Sequence, residues 1–298
     1  MSHDSFLHLS AASPGVCANS LPLVVKFSIV IPSFNQGDFL GECLELLLRQ
    51  SGSDTELIVV DGGSQDESPQ IIQRHAQRLA WWCSEPDAGQ SDALAKGFRQ
   101  ARGEWLGWIN SDDLLLEGGL DAVRVFLSKH PEAEWVVGGG RMIDAASKMV
   151  RPYPYPRGPL RAEDLSPWTD TWFGQPGCFF RRSLYERAGG TVSSHLRYAM
   201  DLDLWLRLGR LAPLLPIPAE LGAYRLHDES KTVAQRAPME TEVVQVLLEH
   251  LGPGAALERV RLLAEEKFAL ETRYRRLTED LSSPLGWGRI LRRRLHQP

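Results

Sequence analysis

An α/β fold built on a mostly parallel, doubly wound sheet is the class this sequence predicts, and three observations carry it. Short apolar, β-branched runs alternate with stretches of helical periodicity. Each of these runs empties into a small polar loop, and no repeat of fixed period runs through the chain. Open α/β sheets bind ligands where their strands end, so the loops are where chemistry is expected.

Residues 1–24 are interrupted by His8, Pro14, Asn19 and Pro22. They lack the basic segment and continuous apolar core of a signal peptide, which predicts a flexible leader. The main domain is expected over 25–235. Its first strand, Phe27 to Ile31, halts at Pro32 and opens into Ser33-Phe34-Asn35-Gln36-Gly37. Leu40, Cys43, Leu44, Leu47 and Leu48 then form an i, i+3, i+4, i+7, i+8 stripe, the mark of an amphipathic helix. The next strand, Glu56 to Val60, runs into Asp61-Gly62-Gly63-Ser64-Gln65-Asp66. Its paired glycines let backbone approach a ligand, and Asp61 offers an acceptor for a base imide or a ribose hydroxyl.

Pro69 to Leu79 predicts a helix with proline in its first turn. Pro86-Asp87-Ala88-Gly89 is a turn, and Ser91 to Ala101 a helix turning Ala93, Leu94, Gly97, Phe98 and Ala101 inward. Trp105 to Ile109 is short and wholly apolar, a buried strand delivering Asn110-Ser111-Asp112-Asp113 to its end. Gly118 to Lys129 is a further helix, closed before Pro131.

From Arg151 the texture changes. Arg151-Pro152-Tyr153-Pro154-Tyr155-Pro156 is expected to be irregular, a connector or a loop over the site. Trp168, Trp172 and Gln175 follow; aromatics there either stack on a sugar face or pack in the core. Between Tyr198 and Leu208, Asp201, Trp205 and Leu208 share a helical face, and Asp203 stands four residues before Arg207. Alternation of Leu202, Leu204, Leu206 and Leu208 fits a strand equally well. The two carboxylates suit either a helix start, where the dipole favours them, or a catalytic base. Leu221 to Leu226 reads as a strand finished by His227. Residues 236–298 predict a helical extension, with a tail over 285–298 holding four arginines and no acid. Such a tail is either a solvated basic segment or a contact to an anionic membrane surface.

Composition narrows the partners. A net charge of −5 speaks against nucleic acid, whose binders carry basic surfaces. Cys17, Cys43, Cys83 and Cys178 are scattered without a CxxC pair, which excludes a zinc-ribbon spacing and fits a reduced, cytoplasmic setting. No run reaches the roughly 20 apolar residues of a membrane span.

Five blocks, taken together and in this order, resemble family 2 glycosyltransferases of the GT-A fold. They are Ser28 to Asn35, Val59 to Asp66, Ser84 to Ala93, Asn110 to Asp113 and Ala199 to Arg207. The resemblance implies an inverting enzyme that uses Mg²⁺ or Mn²⁺ to move a sugar from a nucleoside diphosphate, UDP or dTDP, to a hydroxyl of a glycan or lipid-linked saccharide. It implies a cytoplasmic protein, peripheral at the inner membrane face if the tail binds there. By motif position Pro32, Ser33, Asn35, Asp61, Gly63, Asp92, Lys96, Asn110 and Ser111 would line the nucleotide and donor pocket. Asp112, Asp113 and His227 would meet the metal. Asp201 would be the base with Asp203 as its alternate, and Trp168, Trp172 and Gln175 would face the acceptor. Asn110 stands in place of the usual first aspartate, Ala95 in place of an asparagine, and Met200 in place of a glutamate. These departures keep a catalytically silent nucleotide- or glycan-binding protein in view; a nucleotidyltransferase would need a glycine-rich, basic triphosphate loop that is missing near residue 27.

Overall fold

Strand and helix alternate as the sequence predicts: β1 (Phe27–Ser33), α1 (Gly37–Gln50), β2 (Thr55–Asp61), α2 (Ser68–His75), β3 (Trp81–Ser84), α3 (Gln90–Gln100) and β4 (Trp105–Trp108). Next come β5 (Leu114–Leu115), α4 (Gly119–Lys129), β6 (Trp135–Asp144), β7 (Met149–Tyr153), β8 (Cys178–Arg181), α5 (Arg182–Arg187), α6 (Met200–Leu211) and β9 (Leu214–Leu226). Helices α7 (Arg236–Leu251) and α8 (Pro253–Ser282) close the chain's described part. The computed structural model describes residues 26–166, 173–228, 230 and 235–282. The leader, Trp168, Trp172 and the basic tail therefore lie outside the described residues.

The strands form one mixed sheet in the order β3-β2-β1-β4-β8-β6-β9-β5, with β7 pairing β6 off this path. Its first half, β3-β2-β1-β4, is all parallel, so Ser33, Asp61, Ser84 and Trp108 end their strands at one edge. Beyond β4 the sheet turns mixed, because β8 enters antiparallel between β4 and β6 while β6 and β9 run parallel.

Pro32 does not stop β1, which continues to Ser33 in register with Asp61. The amide of Ile109 donates to the Val30 carbonyl at 3.0 Å, whereas Ser33 accepts from Gly62 at 2.9 Å. Even-numbered residues of β1 thus face β4, whose ladder ends at Val30–Trp108, and Pro32 lies past that end where no partner awaits its missing N–H. The Pro-punctuated segment also departs from expectation. Arg151, Pro152 and Tyr153 belong to β7, paired only to β6, and an edge strand tolerates a proline on its unpaired side.

β6 is the longest of several strands that sequence reading missed, since Gly138-Gly139-Gly140 weakens any strand signal. Gly138 and Gly140 are there because β9 passes close: a methyl group on Gly140 would collide with the carbonyl of Gly222 and the Tyr153 ring. The Tyr153 hydroxyl donates to that same carbonyl at 3.1 Å.

Each face of the sheet carries its own core. One face packs α1, α2 and α4, with Leu40, Cys43, Leu44, Leu47 and Leu48 all buried as their spacing requires. The other packs α3, α6 and α7, and its centre is Trp205, stacked on Trp108 at 5.1 Å and on Trp135 at 5.5 Å between ring centroids. Residues 200–211 are helical, which resolves the two periodicities in favour of the helix. Val243, Val246 and Leu247 of α7 lie in this same core, so packing continues across the boundary expected at residue 235. Among the described residues no helix is long and apolar enough to cross a membrane.

Trp205→Ala removes a fully buried indole whose three-ring stack cannot close over the gap. Loss of about 3–5 kcal/mol of unfolding free energy is expected, measured by urea denaturation followed by circular dichroism.

Candidate functional site

The three loops at the parallel strand ends are tied to one another before any ligand is considered. Asn35, at φ 50°, donates its backbone N–H to Ser64 Oγ (2.7 Å), and its side-chain oxygen accepts from the Gln65 amide (2.9 Å). Asp66 accepts from the amides of Gly37 (2.7 Å) and Ser68 (2.9 Å). Burial acts to raise the Asp66 pKa, but these N–H donors and the Ser68 side chain hold it below the ordinary carboxylate value. Gly63, at φ 81°, carries the sharp turn, and a Cβ there would press on the Pro86 backbone.

Asp61, expected as a base acceptor, is bound within the protein. It is fully buried; one oxygen accepts from the Ser64 amide (3.0 Å) and the Ser84 hydroxyl (2.7 Å), the other from the Ser64 hydroxyl (2.5 Å). The carboxylate thereby fastens the ends of β2 and β3. Ser33 Oγ, by contrast, is buried without a hydrogen-bond partner, as are Gln36 Oε1 and Gln175 Oε1. Orphaned polar atoms of this kind are costly unless a ligand or water meets them.

Asp92 lies in the first turn of α3 and Lys96 one turn further on. The Lys96 ammonium lies 3.2 Å from Glu85 and 3.5 Å from Asp92, while Asp92 also accepts from the Ala88 amide (3.2 Å). Burial works to lower the Lys96 pKa, but Glu85, Asp92 and Asp87 move it upward overall. Gln90 donates to the Asn110 side-chain oxygen at 2.7 Å, which couples α3 to the acidic loop. A cavity of about 430 Å³ opens beside them, lined by residues 88–91, 196–198 and Gln235.

In that loop Asp112 and Asp113 point to different surroundings. Asp113 is buried, accepting from the Arg225 amide (2.9 Å) and from the Asn110 side-chain NH₂ (3.0 Å). Burial and the neighbouring Asp112 charge push its carboxyl well above the ordinary value. Expected beside Asp112 as a metal ligand, it is instead an internal brace with both oxygens engaged. Asp112 is partly exposed, and its carboxylate lies 3.1 Å from His227 Nε2. The Phe39 ring supports that imidazole at 4.8 Å. Ser111 is buried within the loop.

Arg225 was not singled out in the sequence, although it stands near the end of β9, two residues before His227. Its guanidinium is buried, donating to the Asp112 carbonyl (2.6 Å), Ser147 Oγ (2.8 Å) and Glu42 (2.8 Å). It fixes the loop that presents Asp112. An arginine within an otherwise apolar strand is the only sequence signal that could have found it.

On α6, Asp201 is half-buried and accepts from the Leu202 amide at 2.7 Å. Trp205, one turn later, stacks on Trp108 at the end of β4, which sets the start of α6 over the strand ends. The charge of Asp201 acts, after burial, to raise the thiol pKa of Cys178 at the start of β8. Asp203 is differently placed. Its oxygens take Ser193 Oγ (2.6 Å), Arg207 Nη2 (2.8 Å) and His250 Nε2 (2.8 Å), and these partners outweigh burial to hold its pKa far below the ordinary value. With both oxygens occupied it braces α6 against α7; Asp201 is the more exposed of the two carboxylates. Gln175, expected toward an acceptor, donates to the Trp108 carbonyl at 2.6 Å.

Glu242 of α7 is a second residue that sequence reading missed. Its carboxylate accepts from the amides of Arg197 (3.0 Å), Tyr198 (2.7 Å) and Ala199 (3.1 Å), satisfying the backbone just before α6.

The family model described as Glycosyl transferase family 2 matches residues 28–189, more than half of the chain. The chain belongs to this family. A PGL/p-HBAD biosynthesis glycosyltransferase of Mycobacterium bovis (strain BCG / Pasteur 1173P2) is 37% identical over 116 residues, covering 38% of this chain and 45% of that relative. This family 2 chain therefore spans less than half the length of that curated relative. Two solved structures share its fold. TarS 1-349 of S. aureus, in complex with UDP-GlcNAc, aligns at TM-score 0.60 and 16% identity over 76% of this chain and 67% of that one. The mannosyltransferase PcManGT of Pyrobaculum calidifontis, in complex with GDP-Man and Mn²⁺, aligns at TM-score 0.60 and 19% identity over 91% and 79%. The α/β architecture of this family 2 chain is thus that of GT-A glycosyltransferases.

Among the described residues no group of three or more His, Cys, Asp or Glu side chains is arranged to hold a metal ion. Asp112 and His227 form a donor pair, one hard oxygen and one imidazole nitrogen, which suits Mn²⁺ or Mg²⁺ when other oxygens complete the shell.

The Asp203 carboxyl titrates below its unfolded value of about 3.9, so its stabilisation is full above that pH and is lost as pH falls toward the depressed value. Asp203→Asn is expected to lower stability by about 3 kcal/mol at neutral pH, by leaving the largely buried Arg207 without its counter-charge. The gap to the parent chain should narrow in denaturant titrations below about pH 4.

Proposed function

We propose that this chain is a metal-dependent, inverting glycosyltransferase that moves a sugar from a nucleoside diphosphate to a hydroxyl of a glycan or lipid-linked saccharide. The observation that carries this reading is the Asp112 carboxylate 3.1 Å from the His227 imidazole, on a loop clamped by Arg225 at the sheet edge. A diphosphate brings the oxygens that this two-residue donor set lacks. The family membership supports the same reading, and nucleotide sugars are the ligands common to the TarS and PcManGT structures.

Donor binding then falls to the strand-end loops. Ser33 Oγ and Gln36 Oε1 are the polar atoms there with unmet hydrogen-bonding capacity. Asn35, Asp61 and Gly63 act at one remove, holding the loops in shape for the nucleotide. Asn110 and Asp92 reach the same space through Gln90 and the α3 turn. A divalent ion held by Asp112 and His227 would offset the charge that builds on the departing diphosphate.

Asp201 is the base. Its carboxylate takes the proton of the acceptor hydroxyl as that oxygen bonds to the anomeric carbon, while the bond from that carbon to the diphosphate oxygen breaks on the opposite side. A single displacement of this kind inverts the anomeric centre, and the positioned base is worth about 10²–10⁴-fold. Asp203 and Glu242 serve by fixing the helix that presents Asp201.

Thermal-shift measurements against UDP-, dTDP- and GDP-sugars, with and without Mn²⁺, test the donor half, since a ligand that binds only the folded state raises its melting temperature. A shift that requires Mn²⁺ is expected for the true donor and should vanish in Asp112→Ala. Asp201→Asn should keep the shift and lose about 10²–10⁴-fold in turnover, measured by nucleoside diphosphate release with acceptor present. Retention of near-normal turnover by Asp201→Asn would remove it from the base role.

A further inference from the structure

Helix α8 outruns everything packed against it. Its 30 residues span about 45 Å, whereas the 16 residues of α7 span about 24 Å. The ion pairs Arg259–Glu240 and Arg236–Glu266 set the two helices side by side and place the first residue of α7 level with residue 266. Past that point α8 projects, and on the projecting part Leu270 is 55% and Tyr274 70% exposed. An isolated helix with large apolar side chains in water calls for a partner surface.

The spacing says which kind. Val260, Leu263, Lys267, Leu270 and Tyr274 recur at alternating steps of three and four, and in sequence Leu277 and Leu281 continue them. That is a heptad seam, with a at 260, 267 and 274 and d at 263 and 270. Each heptad is completed by charges at the flanking g positions, Glu266 and Arg273, and by Glu271 at e.

We propose that α8 pairs with α8 of a second copy of this chain as an antiparallel coiled coil, its two-fold axis between residues 268 and 269. The charges select this geometry. In a parallel, in-register pair Glu266 would face Glu271 of the other copy, like against like. In the antiparallel register centred at 268–269, Leu263 meets Tyr274, Lys267 meets Leu270, and Glu266 of each copy faces Arg273 of the other. Sliding that register by one heptad sets Glu266 against Glu266 or Arg273 against Arg273. Only one alignment therefore joins the apolar seam to two opposite-charge pairs, and the lone lysine at an a position further disfavours the parallel pair, in which it would face its own copy. Glu266 keeps its bond to Arg236 in the single chain, so its two carboxylate oxygens serve both arginines.

Sedimentation equilibrium of the full chain tests this, independently of any catalytic role. The parent is expected at twice its 33.3 kDa, with Leu270→Asp reduced to the single-chain mass at unchanged circular dichroism, since Leu270 is largely exposed in its own chain. Arg273→Glu should weaken the dimer about tenfold, about 1.4 kcal/mol. The double variant Glu266→Arg, Arg273→Glu should restore much of that loss. A parent that stays at single-chain mass at every concentration overturns the proposal, as does a dimer indifferent to Leu270→Asp. A dimer broken by Leu270→Asp but indifferent to Arg273→Glu overturns the antiparallel assignment, because in a parallel pair Arg273 faces the uncharged Thr278.

Discussion

The acidic edge of the sheet depends on one buried cation. Asp112, Asp113, Glu42 and the carbonyls of Asp144 and Ala145 converge on Arg225, whose guanidinium donates to Asp112, Glu42 and the turn after β6 at once and lies 4.8 Å from the Phe39 ring. A planar fork with five donors can do this; an ammonium cannot. Without that charge the Asp113 carboxyl would be buried against Asp112 with little to offset it, and the 110–113 loop would lose its anchor to α1 and to the β6–β7 turn. Asp112 stands outward beside His227 because Asp113 is drawn inward.

A second dependence runs through α7. The start of α6 has no side-chain cap of its own, and the amides of residues 197–199 are met instead by Glu242 from another helix. Asp203 then joins α6 to His250 at the far end of α7. The segment beyond residue 235 is thus part of the machinery that orients Asp201. A helical extension, read as an appendage, acts as a splint for the helix bearing the proposed base.

Legibility depended on the range of the interaction. Strands β1, β2 and β4 and helices α1, α3 and α4 were visible because their burial patterns repeat over neighbouring residues. β6 was not, because Gly138 and Gly140 answer to β9, some 80 residues on, rather than to their own neighbours. Pro152 misled for a related reason: its tolerance depends on β7 lying at an edge. At the site, the loops could be located from the strand ends, and Asp112 and His227 from motif order. Motif order also ranked Asp201 ahead of Asp203 and set Asp113 beside Asp112, but it could not show the partners, Arg225 for Asp113 and Arg207 and His250 for Asp203, that claim one member of each pair.

The sequence by itself determined the alternation of strand and helix, the position of the acidic loops and the family to which they belong. Those properties are local or rest on ordered motifs. Tertiary structure decided which carboxylates are drawn into braces, that Asp61 fastens the ends of β2 and β3, and that α7 belongs to the core. Each of these turns on a partner distant in the chain, and burial makes a carboxylate's role depend on who donates to it.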